Sequence, residues 1–149
     1  MTDPARAKVV AVSVSGRKGE RKTPVPSATL VPDHGVERDA HAGPGHRQVS
    51  LLATESIAKM KAKGLAVGPG DFAENVTVEG IDLTALKVGD RLRLGEALVE
   101  ISQIGKECHD RCAIYFQAGD CVMPREGVFA RVIRGGKVAP GDPVARAGG

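Results

Sequence analysis

The chain has no tryptophan, one tyrosine (Tyr115) and three phenylalanines (Phe72, Phe116, Phe129), so aromatics make up 3% of its 149 residues. A sheet that stacks unpaired bases draws on more aromatics than this, which argues against an RNA or single-stranded DNA binder. Charge of one sign is also scarce. Lys and Arg number 21 against 18 Asp and Glu, a net charge of +3, and phosphate-backbone binding needs a clustered basic face. No nucleic-acid partner is expected. No apolar run approaches the roughly 18 residues of a membrane-crossing helix, so no membrane partner is expected either. The first eight residues lead into a short, Ser-containing apolar run that does not read as a secretory signal. The three cysteines are an odd number, which argues against a disulfide framework and for a reducing, cytoplasmic setting.

What is present suffices for one folded domain. Hydrophobic residues are 42% and charged residues 26%, with 19 Gly and 9 Pro, a core-forming but turn-rich composition. β-rich runs at 9–15, 28–31, 49–52 and 75–78 read as strands. Residues 91–94 and 97–101 alternate apolar and polar around Gly95-Glu96 and predict a hairpin. Residues 128–133 and 144–146 add two more strands. The expected helix starts at Thr54 as its cap, puts Ile57 and Met60 on one face, ends in Lys59, Lys61 and Lys63, and stops at Gly64. Residues 16–27, with Pro24 and Pro26, read as a loop. Pro69-Gly70-Asp71, Val88-Gly89-Asp90 and Pro140-Gly141-Asp142 read as turns. The fold class is therefore mainly β: a closed or partly open barrel with one helix. The expected organisation is a tail at 1–8, a domain over 9–146 and a tail at 147–149.

Two segments carry chemistry. Residues 33–47 form a long polar stretch holding three of the four histidines, and a loop of that length is often functional. His41, His46 and Arg47 are candidates for an anionic phosphate, with Arg17, Lys18, Arg21 and Lys22 as further cations; Arg donates two parallel bonds to such a group. Glu74-Asn75 and Arg125-Glu126 are further candidates, with turn chemistry and a surface ion pair as their plainer readings. The second segment contains every cysteine: Cys108, Cys112 and Cys121. Lys106, His109, Arg111 and Arg125 supply positive charge that favours a thiolate, partly offset by Glu107, Asp110 and Asp120. One reading is a persulfide on one cysteine with a second assisting. Another is a metal or iron–sulfur site on Cys108, Cys112 and Cys121, with His109 near, although C-x3-C-x8-C is not a standard zinc or ferredoxin spacing. Buried small hydrophobes are the plain alternative for any single cysteine.

The ordered motifs Gly35-Val36-Glu37-Arg38-Asp39-Ala40-His41, Arg47-Gln48-Val49-Ser50-Leu51-Leu52, Gly70-Asp71-Phe72-Ala73-Glu74-Asn75-Val76-Thr77-Val78-Glu79-Gly80 and Leu86-Lys87-Val88-Gly89-Asp90-Arg91-Leu92 lead to the cysteine segment. Met123-Pro124-Arg125-Glu126-Gly127-Val128-Phe129 and Gly135-Gly136-Lys137-Val138-Ala139-Pro140-Gly141-Asp142 follow it. Together they resemble the MOSC domain, named for the C-terminal domain of molybdenum-cofactor sulfurase. The resemblance implies a β-barrel and sulfur chemistry around the molybdenum cofactor (molybdopterin). It implies that Cys108, at the position of the family's functional cysteine, carries sulfur, or ligates molybdenum as in some members; as a sulfur carrier or transferase it would be assisted by Cys112 or Cys121 of the same cluster, with His109 as a further catalytic candidate. Arg47, His41, His46, Asn75 and Arg125 would bind the cofactor. The alternatives are a metal- or cluster-dependent enzyme cleaving a C–S bond in a small sulfur compound, with iron–sulfur or zinc on the cysteines, and a non-catalytic molybdopterin-binding module. Full sulfurases also have a pyridoxal-phosphate domain that extracts sulfur; this chain is too short for one, so no PLP is expected. Sulfur would come from a cysteine desulfurase or other donor and pass to molybdenum-cofactor biosynthesis or acceptor proteins.

Overall fold

The computed structural model describes residues 7–16, 22–40, 42–43, 45, 48–64, 66–72, 74–104 and 127–147. Eleven strands form among them. These are β1 (Lys8–Val14), β2 (Thr23–Val25), β3 (Ala28–Val31), β4 (Gly35–Val36), β5 (Val49–Ala53), β6 (Val76–Glu79), β7 (Arg91–Leu94), β8 (Ala97–Ile104), β9 (Val128–Arg134), β10 (Gly136–Val138) and β11 (Val144–Arg146). One helix, α1 (Thr54–Lys61), follows β5. The mainly β class with one helix is thus observed.

Eight strands pair in the order β11-β7-β8-β9-β5-β6-β1-β2, and β10-β3-β4 form a second sheet. Among the described residues, strand pairing does not close the large sheet into a barrel. Near its ends, one bridge joins Lys8 to Pro143. Backbone bonds run there from Val9 N to Asp142 O, Gly141 N to Val9 O and Val144 N to Ala7 O, at 2.8, 2.8 and 3.0 Å. Pro143 has no N–H to extend a ladder at that point.

Alternation explains which residues are inside. On β7 the pattern Arg91-Leu92-Arg93-Leu94 is exposed, buried, exposed, buried, as a pleat with one wet face requires. The predicted hairpin forms in register, Arg91 opposite Glu100 and Leu94 opposite Ala97. The main core collects Val9, Val12, Val49, Leu51, Val76, Val78, Leu92, Leu94, Val99, Ile101, Val128, Ala130 and Val132. A second cluster lies on the opposite face of β5 and β9: Leu52 and Phe129 with Ile57 and Met60 of α1, and Val67 and Phe72.

Several local expectations are corrected. Thr54 does not cap α1. The cap position is Ala53, without a side-chain bond, while Thr54 Oγ1 is buried with no partner among the described residues. β5 runs straight into α1, so the capping position falls on the strand's last residue. The loop expected over 16–27 contains β2, with Pro24 opposite Ser13 of β1; β2 is at the edge of the sheet, where a proline's missing N–H disturbs no ladder. The three Gly-Asp turns are found, and each works alike. The aspartate side chain accepts from the backbone N–H three residues before it: Asp71 from Gly68, Asp90 from Lys87 and Asp142 from Ala139, all at 2.9 Å. The glycines before them have φ of +90°, +99° and +94°, which a side chain would oppose. Among the described residues, no helix is long and apolar enough to cross a membrane.

Leu51 is fully buried at the crossing of β9, β5 and β6. Leu51→Ala should cost about 2–5 kcal/mol, read as a fall in the urea midpoint. Val88→Ala, at an exposed turn residue, should stay within about 0.5 kcal/mol of the parent.

Candidate functional site

Polar residues concentrate where β1 ends and β6 begins. Val12 and Val14 of β1 alternate with Ser13 and Ser15, so both serines leave the core side of the strand. Ser13 Oγ is buried without a hydrogen-bond partner among the described residues. Ser15 meets an ion pair. Lys22 Nζ donates to Asp39 Oδ1 at 2.8 Å and to Ser15 Oγ at 3.2 Å, and Ser15 N donates to the same Asp39 oxygen at 3.0 Å. The Lys22 and Asp39 side chains are 1% and 0% exposed. Lys22 is thus not a solvated surface cation: its ammonium is buried against Asp39.

The stretch after Gly70 joins the same network. Glu74 is completely buried. Its carboxyl accepts from Gly70 N at 3.0 Å, Phe72 N at 3.2 Å and Thr77 Oγ1 at 2.8 Å. Burial pushes its pKa above the ordinary 4.5, against those donors, which pull it down. Gly70 has no room for a side chain: a Cβ would run into the Lys22 carbonyl oxygen. Lys22 N in turn donates to Gly70 O at 2.8 Å. Asn75 sits between strands. Its Oδ1 accepts from Ser50 N at 3.1 Å and Ser50 Oγ at 3.2 Å, and its Nδ2 donates to Ser13 O at 3.2 Å. The Asn75 side chain therefore ties β1 to β5 across the start of β6, a structural role beyond the turn chemistry its sequence context suggested.

Gln48 performs a similar service for the long polar stretch. Fully buried, it donates to Asp33 Oδ1 and Gly45 O at 3.0 Å each, and accepts from Val132 N at 3.0 Å. Asp33 and Arg38 have left-handed φ of 53° and 71°, uncommon for residues with a Cβ.

Of the predicted site residues, Asn75 lies among the described ones. Cys108, Cys112, Cys121, His109, Arg125, His41, His46 and Arg47 lie outside them. The ends of the cysteine segment are described. Ile104 pairs with Val128, Val128 with Leu51, Leu51 with Val76, and Val76 with Val12. One row of residues therefore crosses five strands. It carries Val128, which follows the cysteine segment, and Val76, which follows Asn75, two strands apart, about 10 Å at the usual spacing. Among the described residues no group of His, Cys, Asp or Glu is arranged to hold a metal.

The family model of the MOSC domain matches residues 37–145. The chain belongs to the MOSC domain family. That family is linked to molybdenum-cofactor binding or sulfur handling. Among curated proteins, the chain is 28% identical over 134 residues to the uncharacterized protein YflK of Bacillus subtilis, covering 83% of this chain and 60% of YflK. The chain thus spans less than two thirds of that relative's length. Its fold is similar to the solved structure of the YuaD protein from Bacillus subtilis, with a TM-score of 0.77 at 20% identity over 93% of each chain. It is also similar to YiiM from Geobacillus stearothermophilus, with a TM-score of 0.71 at 22% identity over 95% of this chain and 75% of that one.

Lys22, Asp39 and Glu74 were not legible as a buried network. The sequence shows Lys22 as the last of a run of cations, and nothing local to it signals burial.

The raised Glu74 carboxyl has a pH consequence. The folded chain retains a proton that the unfolded chain releases, so the contribution is largest in acid. It is lost as pH rises from the unfolded value of 4.5 through the higher folded one. Glu74→Gln cannot ionise. The stability of the parent relative to Glu74→Gln should therefore decline as pH is raised from about 4 toward 7, measured by urea unfolding at each pH. A difference that grows over that range would contradict the burial argument.

Proposed function

We propose that this MOSC chain is a sulfur carrier or sulfurtransferase, with Cys108 holding the mobile sulfur for molybdenum-cofactor or related metal–sulfur biosynthesis. The single observation that carries the reading is the family match over residues 37–145, which spans the one segment containing every cysteine. Family resemblance assigns Cys108 the functional position, and Lys106, His109 and Arg111 beside it in sequence favour its thiolate.

In the proposed step the Cys108 thiolate attacks the outer sulfur of a persulfide on a donor such as a cysteine desulfurase. A new S–S bond forms on Cys108, the donor's S–S bond breaks, and the donor leaves as a thiolate. The sulfur moves without net oxidation. Cys112 or Cys121 assists release to the acceptor. The anionic group of a pterin cofactor would be held by Arg47, His41, His46 and Arg125. When bound, the cofactor would supply the metal that receives sulfur. The buried Ser13 Oγ beside Asn75, unpartnered among the described residues, supports a polar ligand at this end of the sheet, because buried hydroxyls normally have a partner.

The test is mass spectrometry of the chain after incubation with a cysteine desulfurase and cysteine. The parent should gain one sulfur atom, removable by a thiol reductant, and Cys108→Ala should not. Equal gain by Cys108→Ala removes the assignment to Cys108. Anaerobic purification gives the second arm: a brown protein containing iron and sulfide would favour cluster-dependent C–S cleavage on Cys108, Cys112 and Cys121 instead.

A further inference from the structure

We propose that the outer face of β7, β8 and β9 is a docking surface for an acidic, amphipathic helix of a partner protein. The inference goes beyond the sulfur reading and stands without it.

Alternation along these strands turns one face to the core and leaves the other to a few side chains. Arg91 stands opposite Glu100, and Glu100 opposite Arg131; Arg93 stands opposite Leu98, and Leu98 opposite Arg134. Two rows, each flanked by arginines, therefore lie side by side. In the first row Glu100 is shared: Arg91 Nε and Arg131 Nη2 each reach its carboxylate at 3.3 Å. In the second row Arg93 and Arg134 are exposed, and neither has an ion-pair partner among the described residues. Leu98 lies between them, half-buried. The register shift at Leu98 and Val99 gives β9 an extra residue, so Ile133 and Arg134 are both exposed. Ile133 adds a second apolar side chain to this face.

Charge fixes the class of partner. Four arginines surround one carboxylate, so two copies of this chain meeting here would set arginine against arginine. The strands β7, β8, β9 and β11 contain five arginines and no lysine. Lysine is the usual cation for keeping exposed strands in water. Arginine forks onto carboxylates, and it is enriched where proteins meet while lysine is depleted there. Glu100 within the face opposes a phosphate backbone, and Leu98 and Ile133 would meet nothing apolar on one. Spacing fixes the shape. Arg93 and Arg134 are two strands apart, roughly 10 Å. Residues i and i+7 of a helix are about 10.5 Å apart, with i+3 and i+4 between them on the same side. Glutamates at i and i+7 with leucines at i+3 and i+4 would meet both arginines and Leu98 together.

The test is fluorescence anisotropy of the full chain with a labelled, helix-forming peptide that carries Glu at i and i+7 and Leu at i+3 and i+4. A second peptide has the same composition with those residues on different sides of the helix. The parent should bind the first peptide saturably and the second about tenfold weaker or worse. Arg93→Gln with Arg134→Gln should lose about tenfold for the first peptide at an unchanged melting temperature, since both side chains are exposed. Lys61→Gln with Lys63→Gln removes the same charge at the exposed end of α1 and should bind like the parent. Arg93→Lys with Arg134→Lys keeps the charge and should still weaken binding about threefold; it decides alone if the glutamine pair fails to fold. Equal binding of the two peptides, an equal loss in the α1 variant, unchanged binding in the lysine pair, or no saturable binding by the parent each overturns the docking surface. Binding of duplex DNA or of phosphatidylserine vesicles through Arg93 and Arg134, without the peptide, gives the face to phosphate and overturns it too.

Discussion

Everything at the polar end of this sheet is arranged around two opposite charges that have been removed from water. Lys22 and Asp39 are 2.8 Å apart with almost no exposed side-chain surface. Such a pair tolerates no loose geometry, because either partner left alone would be an uncompensated buried charge. Ser15 answers on both its amide and its hydroxyl. Gly70 packs its bare Cα against the Lys22 carbonyl, and its N–H turns to Glu74. Glu74 then holds Phe72 and Thr77, while Asn75 next to it spans Ser50 and Ser13. Residues from five separate stretches of chain are thereby brought to one place by hydrogen bonds that each need the others.

The apolar frame makes that density possible. A wholly apolar core on one side of β5, β6 and β9 and a second cluster under α1 on the other exclude water from both faces. In a medium of that kind hydrogen bonds are strong and missing partners are costly. The same low polarity raises the Glu74 pKa. Frame and network are thus complementary: the frame makes the network's bonds strong, and the network ties β1, β5 and the start of β6 to one another.

The proposed sulfur chemistry is assigned to the segment between β8 and β9. The described row from Ile104 to Val12 links the ends of the cysteine segment to the strand that starts beside Asn75. A sulfur carrier needs a reactive thiolate with room to move and a fixed surface to deliver to. The MOSC match spans both the cysteine segment and the Glu74–Asn75 stretch. The rigid part is the Lys22–Asp39–Glu74–Asn75 network.

The sequence alone determined the strands and their faces. Alternation in Arg91–Leu94, the Gly95-Glu96 turn and the Gly-Asp turns each report on neighbours a few residues away, and a local physical cause has a local signature. Ordered motifs likewise carried the family. What sequence could not decide was the closure of a barrel, the strand β2 hidden among prolines, the failure of Thr54 to cap α1, and the fates of Lys22 and Asn75. Each depends on a partner far along the chain: Lys22 on Asp39, Asn75 on Ser13, Pro24 on the edge position of its strand. A lysine in a run of cations looks the same whether water or a buried carboxylate receives it. Only the folded chain decides, because burial and pairing are properties of the space that distant residues enclose.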